Sequence, residues 1–190
     1  MTNKSSVTAL VPAYQSAEFI EETLDSLALQ THDNFNVIIS VDLCDDDTFE
    51  VCSQYCLKDT RFSVFKQNER LRYVGNCNFL LAQANADYGL LAFHDDILDP
   101  SYIEKLSIVL DNNSEIIMAY SDVSVTTVEG ESECLEYTEL DNIKDSLKRG
   151  LIMLSRKGRW SVPNRGVFRL DKARKIQGLK THEAGEFSTD

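Results

Sequence analysis

The chain has 190 residues, with 31 acidic against 19 basic side chains, a formal net charge of −12 and 43% apolar residues. That length holds one or two small domains around a buried core, and a sequence pI of about 4.7 excludes a general nucleic-acid binder, which draws its affinity from a basic face. No stretch reaches the roughly 20 apolar residues of a membrane-spanning helix.

In chain order, residues 7–11 read as a buried strand closed by Pro12. Ser16 is placed to cap the next helix, where Phe19, Ile20, Leu24 and Leu27 form an apolar stripe opposite Glu18, Glu21, Glu22 and Asp25. A second strand covers 37–41 and stops at Asp42, and the run Asp45, Asp46 and Asp47 suits the start of a following helix. Phe62 and Val64 alternate with polar neighbours as a short strand, and Phe79, Leu80, Leu81 and Ala84 give a helix over 74–84. Residues 90–93 form the next buried strand, with His94, Asp95 and Asp96 at its carboxyl end. Asp99 and Pro100 then predict a cap and first helical position for a helix whose Ile103, Leu106, Val109 and Leu110 face inward. Strands are expected over 116–120 and 123–128. Beyond Cys134 the pattern weakens, with a helix expected over 142–153, a strand at 167–169 and a short helix over 171–176.

Four alternations of strand and helix in the first 110 residues predict a parallel sheet covered on both faces. The charge is segregated: residues 144–180 hold twelve of the basic residues and two acidic ones, so that stretch carries +10 and the remainder −22. An anion could dock on it, although a solvated face is the favoured reading for most of its members. Cysteines at 44, 52, 56, 77 and 134 form no C-x-x-C pair, and no N-terminal run resembles a signal peptide, so a reducing, cytoplasmic setting is expected. Cys52 and Cys56 share a helix face, where buried thiols are the commoner reading and metal ligands the rarer one.

In open α/β sheets ligands bind outside the carboxyl ends of the strands, which directs attention to Pro12, Ala13 and Tyr14, to Asp42, and to His94, Asp95 and Asp96. Neither a dinucleotide fingerprint nor a phosphate loop is present, and the chain has only 8 glycines. Neutralising a phosphate then falls to another device, such as a divalent cation held by carboxylates. Asp95 and Asp96 are candidates for it; the other reading is that Asp96 caps a turn and Asp95 is solvated.

The phrase Val11-Pro12-Ala13-Tyr14-Gln15-Ser16-Ala17-Glu18-Phe19-Ile20, with Leu24, Ser26-Leu27, Gln30-Thr31 and Asn34-Phe35, resembles the opening of family-2 glycosyltransferases of the GT-A type. Ile38-Ile39-Ser40-Val41-Asp42 followed by Asp46-Asp47-Thr48, and Gly75 to Asn78 followed by Asp87-Tyr88 and Phe93-His94-Asp95-Asp96-Ile97-Leu98-Asp99-Pro100, are similar to the family's next two blocks. The resemblance implies a Rossmann-like, mostly parallel sheet flanked by helices. It implies a nucleotide-sugar-binding core over 1–130 and an acceptor-side region over 131–190, packed on the same domain and expected to be cut short at Asp190.

By the same resemblance Pro12, Ala13 and Tyr14 line the nucleotide pocket together with Asn76. Asp42 bonds the base or ribose, Asp95 sits near the ribose, and Asp96 holds Mn or Mg on the diphosphate. The sequence departs from the family at Leu43-Cys44 and at His94, which is expected to be structural. Gly166-Val167-Phe168-Arg169 resembles the strand before the acidic motif of the catalytic base, which makes Asp190 the expected base and Glu186 the runner-up; a solvated acidic tail of Glu183, Glu186 and Asp190 is the competing reading. His182 is a minor candidate for a metal ligand.

The implied activity is inverting transfer of a sugar from a UDP- or GDP-sugar to a glycan or lipid-linked hydroxyl acceptor, in surface polysaccharide or glycolipid synthesis. A non-catalytic nucleotide-sugar-binding fragment and a nucleotidyltransferase are the alternatives. Leu147, Leu151, Ile152 and Leu154 with Lys148, Arg149, Arg156 and Lys157 form an amphipathic stretch suited to peripheral contact with the inner face of the membrane.

Overall fold

The computed structural model describes residues 4–127, 130–137, 140, 143–155 and 162–180. The first half alternates strictly: β1 (Val7–Ala13), α1 (Ile20–Ala28), β2 (Phe35–Val41), α2 (Thr48–Lys58), β3 (Phe62–Lys66), α3 (Arg72–Gln83) and β4 (Tyr88–Leu91). Then come α4 (Tyr102–Asp111), β5 (Met118–Ala119), β6 (Val123–Thr126), β7 (Ser132–Leu135), α5 (Ser146–Ser155), a 3-10 turn (Val162–Arg165), β8 (Val167–Arg169) and α6 (Leu170–Lys175).

The central sheet has six strands in the order β3-β2-β1-β4-β8-β5. Pairing is parallel from β3 to β4, while β8 runs antiparallel to both β4 and β5. β6 and β7 form a separate antiparallel hairpin.

Every residue of β1 is buried because both faces of the sheet are covered. Successive side chains of a strand point to opposite faces, so Val7, Ala9 and Val11 pack with Leu24 and Leu27 of α1 and Ile103 and Leu110 of α4. Leu10 joins Leu80 and Leu81 of α3 with Phe168 and Leu170 from the late strand and helix. The strand Val167–Arg169 and the helix Leu170–Lys175 thus both contribute to the core. A third cluster, Leu135, Tyr137 and Leu140 with Ile152 and Met153 of α5, joins that helix to the hairpin.

Helix starts differ from the sequence expectations. Ser16 does not cap α1: its backbone N–H donates to Thr48 Oγ1 at 2.8 Å, its carbonyl accepts from Phe19 and Ile20, and its own hydroxyl has no partner among the described residues. That local turn delays the helix to Ile20. Asp99 accepts the backbone N–H of Ser101 at 2.9 Å in a turn ahead of α4, so Pro100 precedes the helix rather than opening it. The Gln30 side chain serves that terminus, its Oε1 accepting the Ile103 N–H at 3.0 Å and satisfying a donor that every helix start leaves free. The strand expected over 116–120 is reduced to Met118–Ala119.

Gly166 lies where the chain enters β8. A Cβ there would stand 2.7 Å from the Ala119 carbonyl oxygen and 3.1 Å from that of Pro163, both backbone atoms. Gly166→Ala is therefore expected to lower stability by about 1–3 kcal/mol in urea denaturation, through displacement of β8 from β5.

Candidate functional site

A cavity of about 580 Å³ opens beyond the carboxyl ends of β1, β2 and β4. Pro12, Ala13, Tyr14, Asp42, Asn76 and Asp95 all line it, so positions spread over more than 80 residues of sequence meet at one face of the sheet. Parallel pairing of β1 with β2 and β4 brings their ends together. Asp96 is not a lining residue and stands beside the cavity with its own partner. Asp190, Glu186, Glu183 and His182 lie outside the described residues.

Asp42 is the most heavily engaged of these side chains. Its carboxylate is 2% exposed. Oδ1 accepts backbone N–H groups of Leu71 at 2.7 Å and Leu43 at 3.0 Å, and Oδ2 accepts that of Arg72 at 2.8 Å. Arg70 Nε forms an ion pair with Oδ2 at 3.3 Å. The carboxylate that the resemblance assigns to base or ribose is thus turned onto the protein's own backbone. Arg72 has a φ of 58°, a left-handed conformation unfavourable for a side chain of its size, and its bond to Asp42 helps hold it there. Asp42 builds the turn that presents Arg70 and Arg72 to the cavity.

Above Tyr14 lies the Arg70 guanidinium, 3.4 Å from the ring centre. This contact covers the aromatic surface expected to meet a base, and attraction between cation and ring favours it. Asn76 is buried at 3% exposure; its Nδ2 donates to the Ser40 carbonyl at 3.0 Å, while Oδ1 has no partner among the described residues. A ligand donor reaching that oxygen would satisfy a group otherwise costly to bury. His94 bonds the Pro12 carbonyl through Nδ1 at 3.0 Å and packs against Phe19 at 5.5 Å between ring centres, a structural role joining the β4 end to the β1 end.

Asp96 meets Arg165, whose Nε donates to Oδ2 at 2.5 Å. The same guanidinium lies 4.7 Å from the Phe93 ring centre, and Phe93 stacks on Tyr73 at 6.0 Å. The Tyr102 hydroxyl donates to the Arg165 carbonyl at 2.9 Å and fixes the backbone of the 3-10 turn. Burial pushes the Asp96 carboxyl above its ordinary value, and the Arg165 guanidinium opposes that rise.

Among the described residues no group of three or more His, Cys, Asp and Glu could hold a metal ion. Asp96 and the exposed Asp95 instead fit the mode in which one or two carboxylates share a hard cation with substrate phosphates and water. Cys52 lies in the core, where burial pushes its thiol up to about 12, which suits packing better than metal binding.

Sequence reasoning missed Arg70, Arg72, Tyr73 and Arg165. The first three follow β3 and could have been found by extending the strand-end rule to that strand. Arg165 carried no local signal beyond its place in the basic stretch.

Residues 8–156 match the family model described as glycosyl transferase family 2. A protein of Haemophilus influenzae described as an uncharacterized glycosyltransferase is 28% identical over 134 residues, covering 70% of this chain and 41% of that protein. Among solved structures, S. aureus TarS 1-349 in complex with UDP-GlcNAc superposes with a TM-score of 0.70 at 16% identity, over 90% of this chain and 47% of that one. The mannosyltransferase PcManGT from Pyrobaculum calidifontis, in complex with GDP-Man and Mn2+, gives 0.69 at 14% identity, over 94% and 48%. The chain therefore spans less than half the length of each of these proteins. The sheet order and these likenesses give the expected GT-A type α/β fold.

Proposed function

The chain belongs to glycosyl transferase family 2, and on that premise we propose that it binds a nucleotide-diphospho-sugar in the strand-end cavity and serves transfer of the sugar to a hydroxyl acceptor. The carrying observation is the convergence of Pro12, Ala13, Tyr14, Asp42, Asn76 and Asp95 on one cavity of about 580 Å³, a size that accepts a nucleotide. Asn76 offers a buried acceptor without a partner among the described residues, Arg70 and Arg72 offer positive charge, and Tyr14 offers an aromatic face once Arg70 moves.

In this reading Asp96, with Asp95 beside it, would hold Mn or Mg, and the cation would supply neutralisation of the charge on the departing diphosphate. The outcome is direct displacement with inversion, Asp190 taking the proton of the acceptor hydroxyl as general base. The acceptor is a glycan or lipid-linked hydroxyl in surface polysaccharide or glycolipid synthesis, reached from the cytoplasmic side. Exposed Leu147 and Leu151 on α5, flanked by Lys148 and Arg149, would give peripheral contact with the membrane. No helix among the described residues is long and apolar enough to cross one.

Calorimetric titration with UDP, GDP and their sugars, with and without Mn, tests the donor reading. Saturable binding of at least one of them at micromolar to millimolar concentration is expected. Absence of binding by all of them, with and without metal, would remove the basis for the proposal.

A further inference from the structure

Asp96 already has a cation. Arg165 Nε stands 2.5 Å from Oδ2, both side chains are partly shielded at 29% and 26% exposure, and Phe93 and Tyr102 fix the guanidinium and its backbone. A divalent ion arriving alone would have to displace or share the carboxylate with this guanidinium, and like charges in a partly desolvated site repel strongly. A doubly charged diphosphate changes that balance, because it brings enough negative charge for both cations.

Resting on the donor and metal reading above, we propose that Arg165 is the resident counter-ion of Asp96 and makes metal and nucleotide binding interdependent. Without nucleotide, Arg165 occupies Asp96 and keeps the divalent ion out. With nucleotide, the guanidinium transfers from the Asp96 carboxylate to a phosphate oxygen, and Asp96 passes to the metal. No covalent bond changes, and the exchange is one of ion pairs. Arg165 comes from the late, basic part of the chain, so this also gives one member of that stretch a definite anionic ligand.

The test compares wild type, Arg165→Gln and Lys58→Gln in two titrations: Mn2+ followed by its electron paramagnetic resonance signal, with and without saturating UDP, and UDP by calorimetry, with and without saturating Mn2+. Lys58 is exposed in the last turn of α2, which contributes no residue to the cavity lining, and its substitution removes the same formal charge. Wild type is expected to bind Mn2+ weakly alone and at least about tenfold more tightly with UDP, and UDP to gain by the same factor from Mn2+, since coupling is reciprocal. Arg165→Gln is expected to bind Mn2+ alone more tightly, to bind UDP more weakly, and to lose most of the coupling, while Lys58→Gln behaves as wild type. The proposal fails if folded Arg165→Gln, checked by circular dichroism, retains the wild-type coupling, or if Lys58→Gln loses as much. It also fails if Mn2+ binds neither protein in the presence of UDP, although UDP binding in that case leaves the donor reading standing.

Discussion

Asp42→Ala is expected to lower stability by about 3 kcal/mol in urea denaturation and to abolish measurable UDP binding by calorimetry. The carboxylate accepts three backbone N–H groups, from Leu43, Leu71 and Arg72, in a site that leaves it 2% exposed. Alanine removes every acceptor at once, and unsatisfied buried donors cost more than the net value of the bonds they lose. Arg72 then loses the bond that helps hold its left-handed backbone, and Arg70 loses its ion pair. The cavity wall made by residues 70–72 loosens as a consequence. Asp42→Asn keeps one acceptor oxygen and is expected to fall between alanine and wild type in both measurements. Equal stability of Asp42→Ala and wild type would contradict the role assigned to this carboxylate.

Asp96→Ala has a different signature. It removes the partner of Arg165 while leaving the cavity lining intact, so folding should change by at most about 1 kcal/mol, the size of a partly exposed ion pair. The Mn-dependent part of UDP binding is expected to vanish, whereas binding measured without metal persists or tightens as Arg165 becomes free to meet phosphate. Loss of UDP binding is expected to be about tenfold or more at saturating Mn. If Asp96→Ala binds UDP with Mn as tightly as wild type, Asp96 is not the metal residue. The two substitutions thus separate a carboxylate that shapes the cavity from one that handles charge beside it.

Strand ends were the legible part of this sequence. Runs such as 37–41 and 90–93 are apolar because the sheet is covered on both faces, and the polar residues that break those runs fall where a parallel sheet binds ligands. Asp42, Asn76 and Asp95 could therefore be assigned to one region with the help of the family resemblance. Helix starts were less legible because distant side chains decide them: Thr48 holds Ser16, and Gln30 holds the start of α4. The Asp96 pair with Arg165 spans 69 positions, and no periodicity or local motif records such a contact. The insertion of β8 between β4 and β5 was hidden for the same reason, since three residues, Val167–Arg169, carry it. Asp42 lines the cavity at the end of β2, but its bonds to Leu71 and Arg72 depend on a turn formed after β3 that its own neighbours do not encode.

The proposed nucleotide site is the cavity at the ends of β1, β2 and β4. Backbone amide chemical shifts of the chain, followed by NMR during titration with UDP and Mg, test that placement. The predicted result is that shifts concentrate at residues 13–14, 42–43, 70–76 and 93–96, while those of α5 stay unchanged. Saturable UDP binding with shifts confined to other surfaces would contradict it.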